Sequence, residues 1–275
     1  MNHLALVLAL LCPTLWLAGC AAAPHGPAPE ARIEALLPAD AILLGEQHDA
    51  DEHHRIEREV VQALARRGAL AAVALEMAEQ GGSTAGLPRE ASEAEVRTAL
   101  RWSEQAWPWR NYGPAVMAAV RAGVPVLGAN LPRAQMREAM GQPMLDAQLP
   151  GPALKAQQQA IRIGHCGLLP ESQITPMTRI QIARDQAMAQ TLASAAVAGR
   201  TVLLVAGAGH VDRALGVPQH MPPGLKIKAI RMQAGPAMDA TKSAAQFDAV
   251  WVTPAVPPQD HCAQLQRSMQ AQPQP

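Results

Sequence analysis

The sequence predicts an α/β fold, in which a parallel sheet is flanked by helices and joined to a smaller all-helical subdomain. Short apolar runs of strand length alternate with segments of helical periodicity, which is the order expected for a parallel sheet. Two of these regions, residues 41–48 and 201–210, end in the same Gly-x-x-His sequence. Residues 133–198 show helical spacing and no strand, so they form the predicted subdomain.

The apolar runs predict six strands. They lie at 41–44, 71–75, 124–127, 201–206, 226–232 and 249–252. Between the first two, Ile56, Val60 and Leu64 form one apolar stripe, which predicts a helix over 51–67 and hence a βαβ unit. The other predicted helices are 90–102, one with Pro114 near its first turn, 133–140, 151–163, and 176–198 with Thr175 as its cap.

The amino terminus has the features of an export signal. Residues 1–19 are mostly apolar, carry no charged side chain apart from the partly titrating His3, and end in Leu-Ala-Gly before Cys20. This arrangement resembles the lipobox of bacterial lipoproteins, in which the cysteine is lipidated and becomes the first mature residue. We therefore expect a signal peptide over 1–19 and a lipid anchor on Cys20; a buried amino-terminal helix is the alternative. Ala21 at the next position predicts the periplasmic face of the outer membrane.

Differences in composition divide the rest of the chain into a tether, a folded domain and a tail. Residues 20–34 are small and Pro-rich beyond the cysteine, which predicts a flexible tether. Residues 35–253 form the predicted folded domain, and the Pro- and Gln-rich residues 254–275 are predicted to be disordered. Lys plus Arg and Asp plus Glu both number 23, so the net charge is zero and a nucleic-acid partner is not expected.

Two cysteines remain after export and lipidation. Cys166 and Cys262 lack the paired short spacing of a zinc site. The periplasm permits disulfide bonds, and closing so long a loop stabilises the fold by about 4–5 kcal/mol in the loop-entropy model. We predict a disulfide between these residues; the alternative is two unpaired thiols.

Polar side chains follow four of the predicted strands. They are Glu46, His48, Glu76, Asn130 and His210. Open parallel sheets bind ligands at the carboxyl ends of their strands, so we expect these residues to share one rim. The glycine of each Gly-x-x-His turn can adopt a positive φ and reverse the chain. Two imidazoles with carboxylates can bind a transition metal, exchange protons, or hydrogen-bond a ligand; the alternative is that the histidines cap the following helices.

Tyr112 is the only tyrosine, and it lies close in sequence to Trp102, Trp107 and Trp109. Tyrosine is one of the axial ligands that proteins use for haem iron, and tryptophan rings pack on flat apolar surfaces such as a porphyrin. The alternative is an aromatic corner packed between helices and sheet.

Five further polar residues have simpler expectations. His53 and His54 are expected on a solvated helix face. Asp185 is expected to form a structural ion pair with the adjacent Arg184. Arg133 can clamp a carboxylate, or begin a helix on its solvated side.

Five separated segments occur in the order found in a known family. They are LLGEQHDADEHHRIEREVV, ALEM, YGPAVMAAVRAGVPVLGANLPR, GHCGLLP with the later ARDQAMA, and VAGAGHVDRALGVP. Over roughly residues 35–250 the chain resembles the ChaN-like haem-binding lipoproteins, which belong to the superfamily of the Tiki, TraB and erythromycin-esterase-like proteins. The resemblance implies an α/β domain with a helical subdomain, a role in iron or haem uptake, and a homodimer that holds two haems face to face.

The resemblance also implies roles for single residues. Tyr112 stands at the family's Tyr-x-Pro position, which implies that it is the axial ligand of haem iron. His48, His165 and Arg133 are the candidates for contacts with the haem propionates.

The same superfamily supplies an alternative function. Its metal-dependent proteases and its esterases use the Gly-x-x-His turns and nearby glutamates. Under this alternative, Glu46, His48, Glu76 and His210 form a hydrolytic site. A non-catalytic scaffold of the envelope is a third possibility.

Overall fold

Six parallel strands form one sheet in a computed structural model that describes residues 29–236 and 246–271. In chain order they are β1 (Ala41–Glu46), β2 (Leu70–Glu79), β3 (Val126–Asn130), β4 (Thr201–Gly207), β5 (Ile227–Ala234) and β6 (Ala249–Thr253). Their order across the sheet is β3-β2-β4-β1-β5-β6. All six predicted strands are present, and the α/β prediction is confirmed.

Helices connect the strands. They are α1 (Pro29–Glu34), α2 (Asp51–Arg66), α3 (Glu93–Ala99), α4 (Trp109–Arg121), α5 (Arg133–Met140), α6 (Gly151–Gly164), α7 (Glu171–Ala195) and α8 (His261–Ala271). Short 3-10 helices cover Pro143–Ala147 and Val217–His220. In the part of the chain that the structure describes, no helix combines the length and apolarity needed to cross a bilayer.

The two faces of the sheet are covered by different helices. Successive residues of a strand point to opposite faces, so Ile42 and Leu44 pack with Val60 of α2 and Val116 of α4. The opposite face, which includes Leu43, packs beneath α7. The fold is therefore a three-layer arrangement with the sheet in the middle.

The predicted helical block is attached to the sheet through α7. Its own apolar cluster is small and consists of Leu131, Ala139, Leu145, Leu149, Ile182, Ala183 and Ala187. Further along α7, Met188 and Leu192 join the core on the face of the sheet. One helix thus serves both the subdomain and the main core.

The amino-terminal boundary differs from the expectation. The predicted signal peptide over 1–19 and the predicted lipidation site Cys20 lie outside the described residues. The tether predicted over 20–34 is wrong at its end, because residues 29–34 form α1. Ile33 of this helix is fully buried against α2, and Glu30 forms an ion pair with Arg66. Burial of one apolar residue and contact with α2 order a segment whose composition looked flexible.

The carboxyl-terminal boundary also differs. Disorder was predicted over 254–275, whereas residues 261–271 form α8. The Asp260 carboxylate accepts a hydrogen bond from the Ala263 amide, which caps the helix. A disulfide between Cys166 and Cys262, the predicted pairing, attaches this helix to the end of α6.

Two helices begin earlier than predicted. Pro114 and Pro176 were placed near helix starts, but α4 begins five residues before the first and α7 five residues before the second. A proline in the second turn removes a single intrahelical hydrogen bond. In α4 the burial of Trp109 and Tyr112, which precede Pro114, stabilises the first turn and offsets the lost hydrogen bond.

A substitution at Leu204 tests the position of the hydrophobic core. Its side chain is fully buried in the central strand β4 beneath α7. We expect Leu204→Ala to lower the free energy of unfolding by roughly 2–5 kcal/mol, because it leaves a cavity in a packed interior. Urea denaturation followed by circular dichroism measures this change. Val252→Ala on the edge strand β6 is the control and should cost under about 0.5 kcal/mol, because Val252 is largely exposed. Equal losses would contradict the assignment.

Candidate functional site

The sheet brings the predicted rim residues together. Strands β2, β4 and β1 are neighbours; Glu76 lies near the carboxyl end of β2, His210 follows β4, and Glu46 ends β1. His48 follows β1, and Asn130 ends β3 beside β2. Hydrogen bonds and ion pairs connect all five side chains into one cluster, as the sequence predicted.

Glu76 is the centre of this cluster. Its carboxylate is buried and receives Arg184 Nη2 at 2.5 Å and the Gly207 amide at 2.7 Å. His210 Nε2 lies 3.5 Å away. Burial alone would raise the pKa of Glu76, but the positive charges of His210 and Arg184 hold that pKa well below its usual range. Glu76 is therefore a buried anion compensated from β4, its following loop and α7.

Asn130 is the second residue that holds Arg184 in position. The Asn130 amide nitrogen donates to the Glu76 backbone oxygen, and its side-chain oxygen accepts from Arg184 Nε. Arg184 is thus held by two partners from two strands, in a geometry that its planar guanidinium favours.

Asp185 pairs with His210, which corrects the expected pairing with Arg184. Asp185 Oδ1 and His210 Nδ1 are 2.5 Å apart in the interior. Residues 184 and 185 leave α7 in different directions, because successive helical positions are about 100° apart. Burial alone would lower the pKa of His210, but the charges of Glu76 and Asp185 raise it to about 9.

Glu46 joins the second part of the cluster. Its Oε1 accepts hydrogen bonds from His48 Nδ1 at 2.7 Å and from the Tyr112 hydroxyl at 2.8 Å. Burial alone would raise the pKa of Glu46, but the contact with His48 contributes to lowering it to about 2. Glu46 therefore stays charged while it orients an imidazole and a phenol.

His48 is the member of the cluster that solvent reaches most. Its side chain is 40% exposed, whereas Glu46 and Glu76 are buried. Its Nδ1 is engaged by Glu46, and its Nε2 lies 4.0 Å from the nearest Glu76 oxygen, beyond hydrogen-bonding distance. The Trp107 ring lies edge-on to the imidazole with centroids 4.9 Å apart. A carboxylate behind one ring nitrogen, with the other nitrogen available, is the usual arrangement of a metal-ligating histidine.

Tyr112 lies inside the molecule. Its ring is 1% exposed and is surrounded by His54, Trp102 and Trp107. Burial and the charge of Glu46 both hold the pKa of its hydroxyl well above the usual range. The arrangement is the packed aromatic corner that was the alternative interpretation. A phenol that donates a buried hydrogen bond does not fit direct ligation of iron in this arrangement.

Close packing, not backbone reversal, explains the two turn glycines. Neither Gly45 nor Gly207 has a positive φ, which corrects the expectation. A Cβ at Gly45 would lie 2.3 Å from Val211 Cγ2, and one at Gly207 would lie 3.0 Å from His48 Nε2. The glycines let β1 and β4 bring their following loops into contact.

The sequence interpretation of α2 is corrected by burial. His53 and His54 were expected on a solvated face, yet both are buried, and Glu57 is fully buried one turn later. His53 Nδ1 accepts from the Gln47 amide, and its Nε2 lies 3.0 Å from Thr253 Oγ1. A signal was present in the sequence, because positions 53, 57, 60 and 64 form one helical stripe.

The other propionate candidates lie elsewhere. Arg133 is exposed in the first turn of α5. His165 follows α6, where its Nδ1 lies 2.8 Å from the Ile161 carbonyl oxygen. Within residues 29–236 and 246–271, no hydrogen bond or ion pair joins either side chain to the Glu76 cluster.

The four residues of the hydrolase alternative meet, but they do not form a metal site. Arg184 holds a positive charge against Glu76 where a metal ion would bind. Both nitrogens of His210 face carboxylates, so both carry protons and neither offers a lone pair. The geometry therefore does not favour a metal ion held by Glu76 and His210.

A family model described as haem-binding uptake, Tiki superfamily, ChaN matches residues 32–221. The chain belongs to this family. A solved structure, described as cofacial heme binding to ChaN of Campylobacter jejuni, matches with a TM-score of 0.66 and 26% identity over 80% of this chain and 90% of that chain. The type III effector HopBA1 matches over 85% of this chain and 96% of its own, with 19% identity and a TM-score of 0.47, which carries no functional argument. No curated protein matches the sequence significantly.

Titration of His210 gives this ChaN-family protein a predicted pH dependence. The pKa of His210 is about 9 in the folded state against 6.5 when unperturbed. Its stabilisation is fully present below pH 6.5 and is lost as the pH rises through 9, because the native state then holds one more proton than the unfolded state. We expect the free energy of unfolding to fall by on the order of 3 kcal/mol across this range.

Urea denaturation between pH 6 and pH 9.5 measures this fall. His210→Gln should flatten the profile, whereas the control His261→Gln, at an exposed position on α8, should keep the wild-type slope. A profile that stays steep in His210→Gln would assign the proton to another group.

Proposed function

We propose that this protein is a haem-binding lipoprotein of the periplasmic face of the outer membrane, with a role in iron or haem uptake. Membership of the haem-binding ChaN family supports the ligand. The cofacial heme of the Campylobacter jejuni structure supports the mode of binding. The Leu-Ala-Gly-Cys sequence that ends at Cys20 supports the lipid anchor.

One observation carries the assignment of the haem site: the His48 side chain is 40% exposed beside Trp107, while Glu46 engages its Nδ1. His48 Nε2 would hold the iron, and the hydrogen bond to Glu46 would fix the tautomer and orientation of the ring. Trp107 would offer an aromatic surface to the porphyrin. When bound, haem would supply an iron ion that accepts the imidazole nitrogen as a ligand.

Ligation by Tyr112, the role that the family resemblance implies, needs a different conformation. The phenol would have to leave Glu46, lose its proton and emerge from the aromatic corner. We therefore rank His48 above Tyr112 as the ligand, and Arg133 and His165 remain candidates for the propionates.

A homodimer is part of the proposal. Cofacial haems must be brought face to face, and a homodimer in which each subunit carries one haem does this. Such a dimer predicts that the sedimentation coefficient of the soluble protein rises with haem at one equivalent per subunit.

Ferric haem titration of soluble residues 21–275 tests the function and the ligand. We expect one haem per subunit, a Soret shift, and loss of at least roughly tenfold in affinity in His48→Ala, because the iron loses its ligand. Tyr112→Phe should keep the spectrum. The control His261→Ala removes an exposed histidine that lies on α8.

Each of the other outcomes of this titration leads to a different conclusion about the haem site. Loss of the spectrum in Tyr112→Phe but not in His48→Ala would assign the ligand to Tyr112. Wild-type spectra in both variants would place the haem elsewhere, and no binding by the wild-type protein would contradict the proposed function.

The lipid anchor is tested separately in a Gram-negative host. Cys20→Ser should move the protein from the outer-membrane fraction to the soluble periplasm, since the thiol is the acylation site. Cys12→Ser, inside the predicted signal peptide, is the matched control and should leave the fractionation unchanged. Membrane retention of Cys20→Ser with an unchanged mass would refute lipidation.

A further inference from the structure

A second group of side chains lies beneath His48 and Trp107, the proposed haem-binding residues, and shares Glu46 with them. Glu57 is 0% exposed on α2, and neither of its carboxylate oxygens has a hydrogen-bond donor. Glu46 Oε2 and His54 Nε2 are also buried and make no hydrogen bond of good geometry, although they face each other as an ion pair. Buried polar atoms are nearly always paired, because an unpaired one costs free energy. Four such atoms in one place call for a ligand.

These atoms converge on one point. Ligand atoms of Glu46, His54 and Glu57 all lie within 4.8 Å of one another, and His54 Nε2 is 3.2 Å from Glu46 Oε2. Two ligands at about 2.0–2.2 Å from a metal ion are themselves about 3 Å apart when they are adjacent. The separation of His54 Nε2 from Glu46 Oε2 is therefore that of two adjacent ligands, and side-chain adjustment of Glu57 within the 4.8 Å cluster would complete the coordination sphere.

The local sequence explains the convergence. His54 and Glu57 are three residues apart on α2, so their side chains leave the same face of the helix. Glu46 approaches that face from the end of β1, and its other oxygen is engaged by His48 and Tyr112. Three residues from two adjacent elements thus present their free atoms to one another.

The arginine nearest in sequence to this group does not compensate its charges. Arg55, the arginine between the two ligands on α2, pairs outward with Glu52 and Glu59. Burial and the negative charge of Glu46 raise the pKa of Glu57 well above its usual range. Without a metal ion, a proton therefore occupies this site, and a divalent ion would replace it.

We propose that Glu46, His54 and Glu57 bind one divalent transition-metal ion, in a site distinct from the haem-binding surface. One imidazole with two carboxylates suits Mn²⁺, Fe²⁺ or Zn²⁺. Mg²⁺ and Ca²⁺ favour oxygen ligands and make poor use of the imidazole.

An open pocket of about 350 Å³ provides a route to the site. His54 lines it together with Asp51, Arg58, Arg110 and Asn111. The guanidinium groups oppose the entry of a cation, so we expect loading to be slow, and titrations need long equilibration.

Metal binding by haem-free soluble protein, residues 21–275, tests the proposal. After dialysis against EDTA and then buffer, the wild-type protein should bind one equivalent of Zn²⁺ by elemental analysis. Co²⁺ should give visible d–d absorption of a site with nitrogen and oxygen ligands. Glu57→Gln, which keeps the side-chain shape, should lower the Zn²⁺ affinity by roughly a hundredfold or more, because removal of an outer partner alone can cost that much.

A matched variant separates this site from surface binding. Glu52→Gln lies on the same helix but faces Arg55 at the surface, and it should keep wild-type Zn²⁺ binding. His54→Gln should abolish the Co²⁺ bands. Circular dichroism confirms that each variant is folded.

Two results would overturn the proposal. One is the absence of stoichiometric metal together with a higher melting temperature in Glu57→Gln, which would identify a proton shared by two carboxyl groups. The other is Zn²⁺ binding unchanged by Glu57→Gln. Since no haem is present, neither result bears on the proposed haem-binding function.

Discussion

The charge of Glu76, buried near the carboxyl end of the inner strand β2, is the constraint on which the rest of the site depends. A carboxylate removed from water is very unfavourable unless cations and hydrogen-bond donors surround it. Here Arg184, His210 and the Gly207 amide supply them from α7, from the loop after β4 and from β4 itself. The compensation therefore fixes the position of α7 over the sheet.

Glu46 connects the buried cluster to the protein surface. One of its oxygens holds both His48 and Tyr112, so the exposed imidazole and the buried phenol share a single acceptor. The other oxygen faces His54 and Glu57 on α2. A change in the protonation or ligation of any of these groups alters the electrostatic interactions of the others, because low-dielectric surroundings strengthen those interactions. The proposed haem-binding surface and the proposed metal site are linked through this one carboxylate.

The close approach of β1 and β4 makes the linkage possible. Gly45 and Gly207 lie on neighbouring parallel strands at the rim, where Gly45 pairs with Ala206 and Gly207 pairs with Glu46. A side chain at either position would meet Val211 or His48. The shared Gly-x-x-His sequence therefore marks where two backbones pack together, and the histidines follow as a consequence.

The sequence by itself determined the six strands, the parallel topology and the rim that unites Glu46, Glu76 and His210, because apolar periodicity and strand-end polarity are local signals. It did not determine the partners of these groups. Asp185 meets His210 and not its neighbour Arg184, since helix geometry sends the two side chains apart. His53 and His54 looked solvated, and Tyr112 looked available, because burial depends on what packs above a helix. The burial of these residues and their partners depend on the tertiary structure. Residues distant in sequence pack around a charged group, remove its contact with water and supply the hydrogen-bond or ion-pair partner that replaces the water.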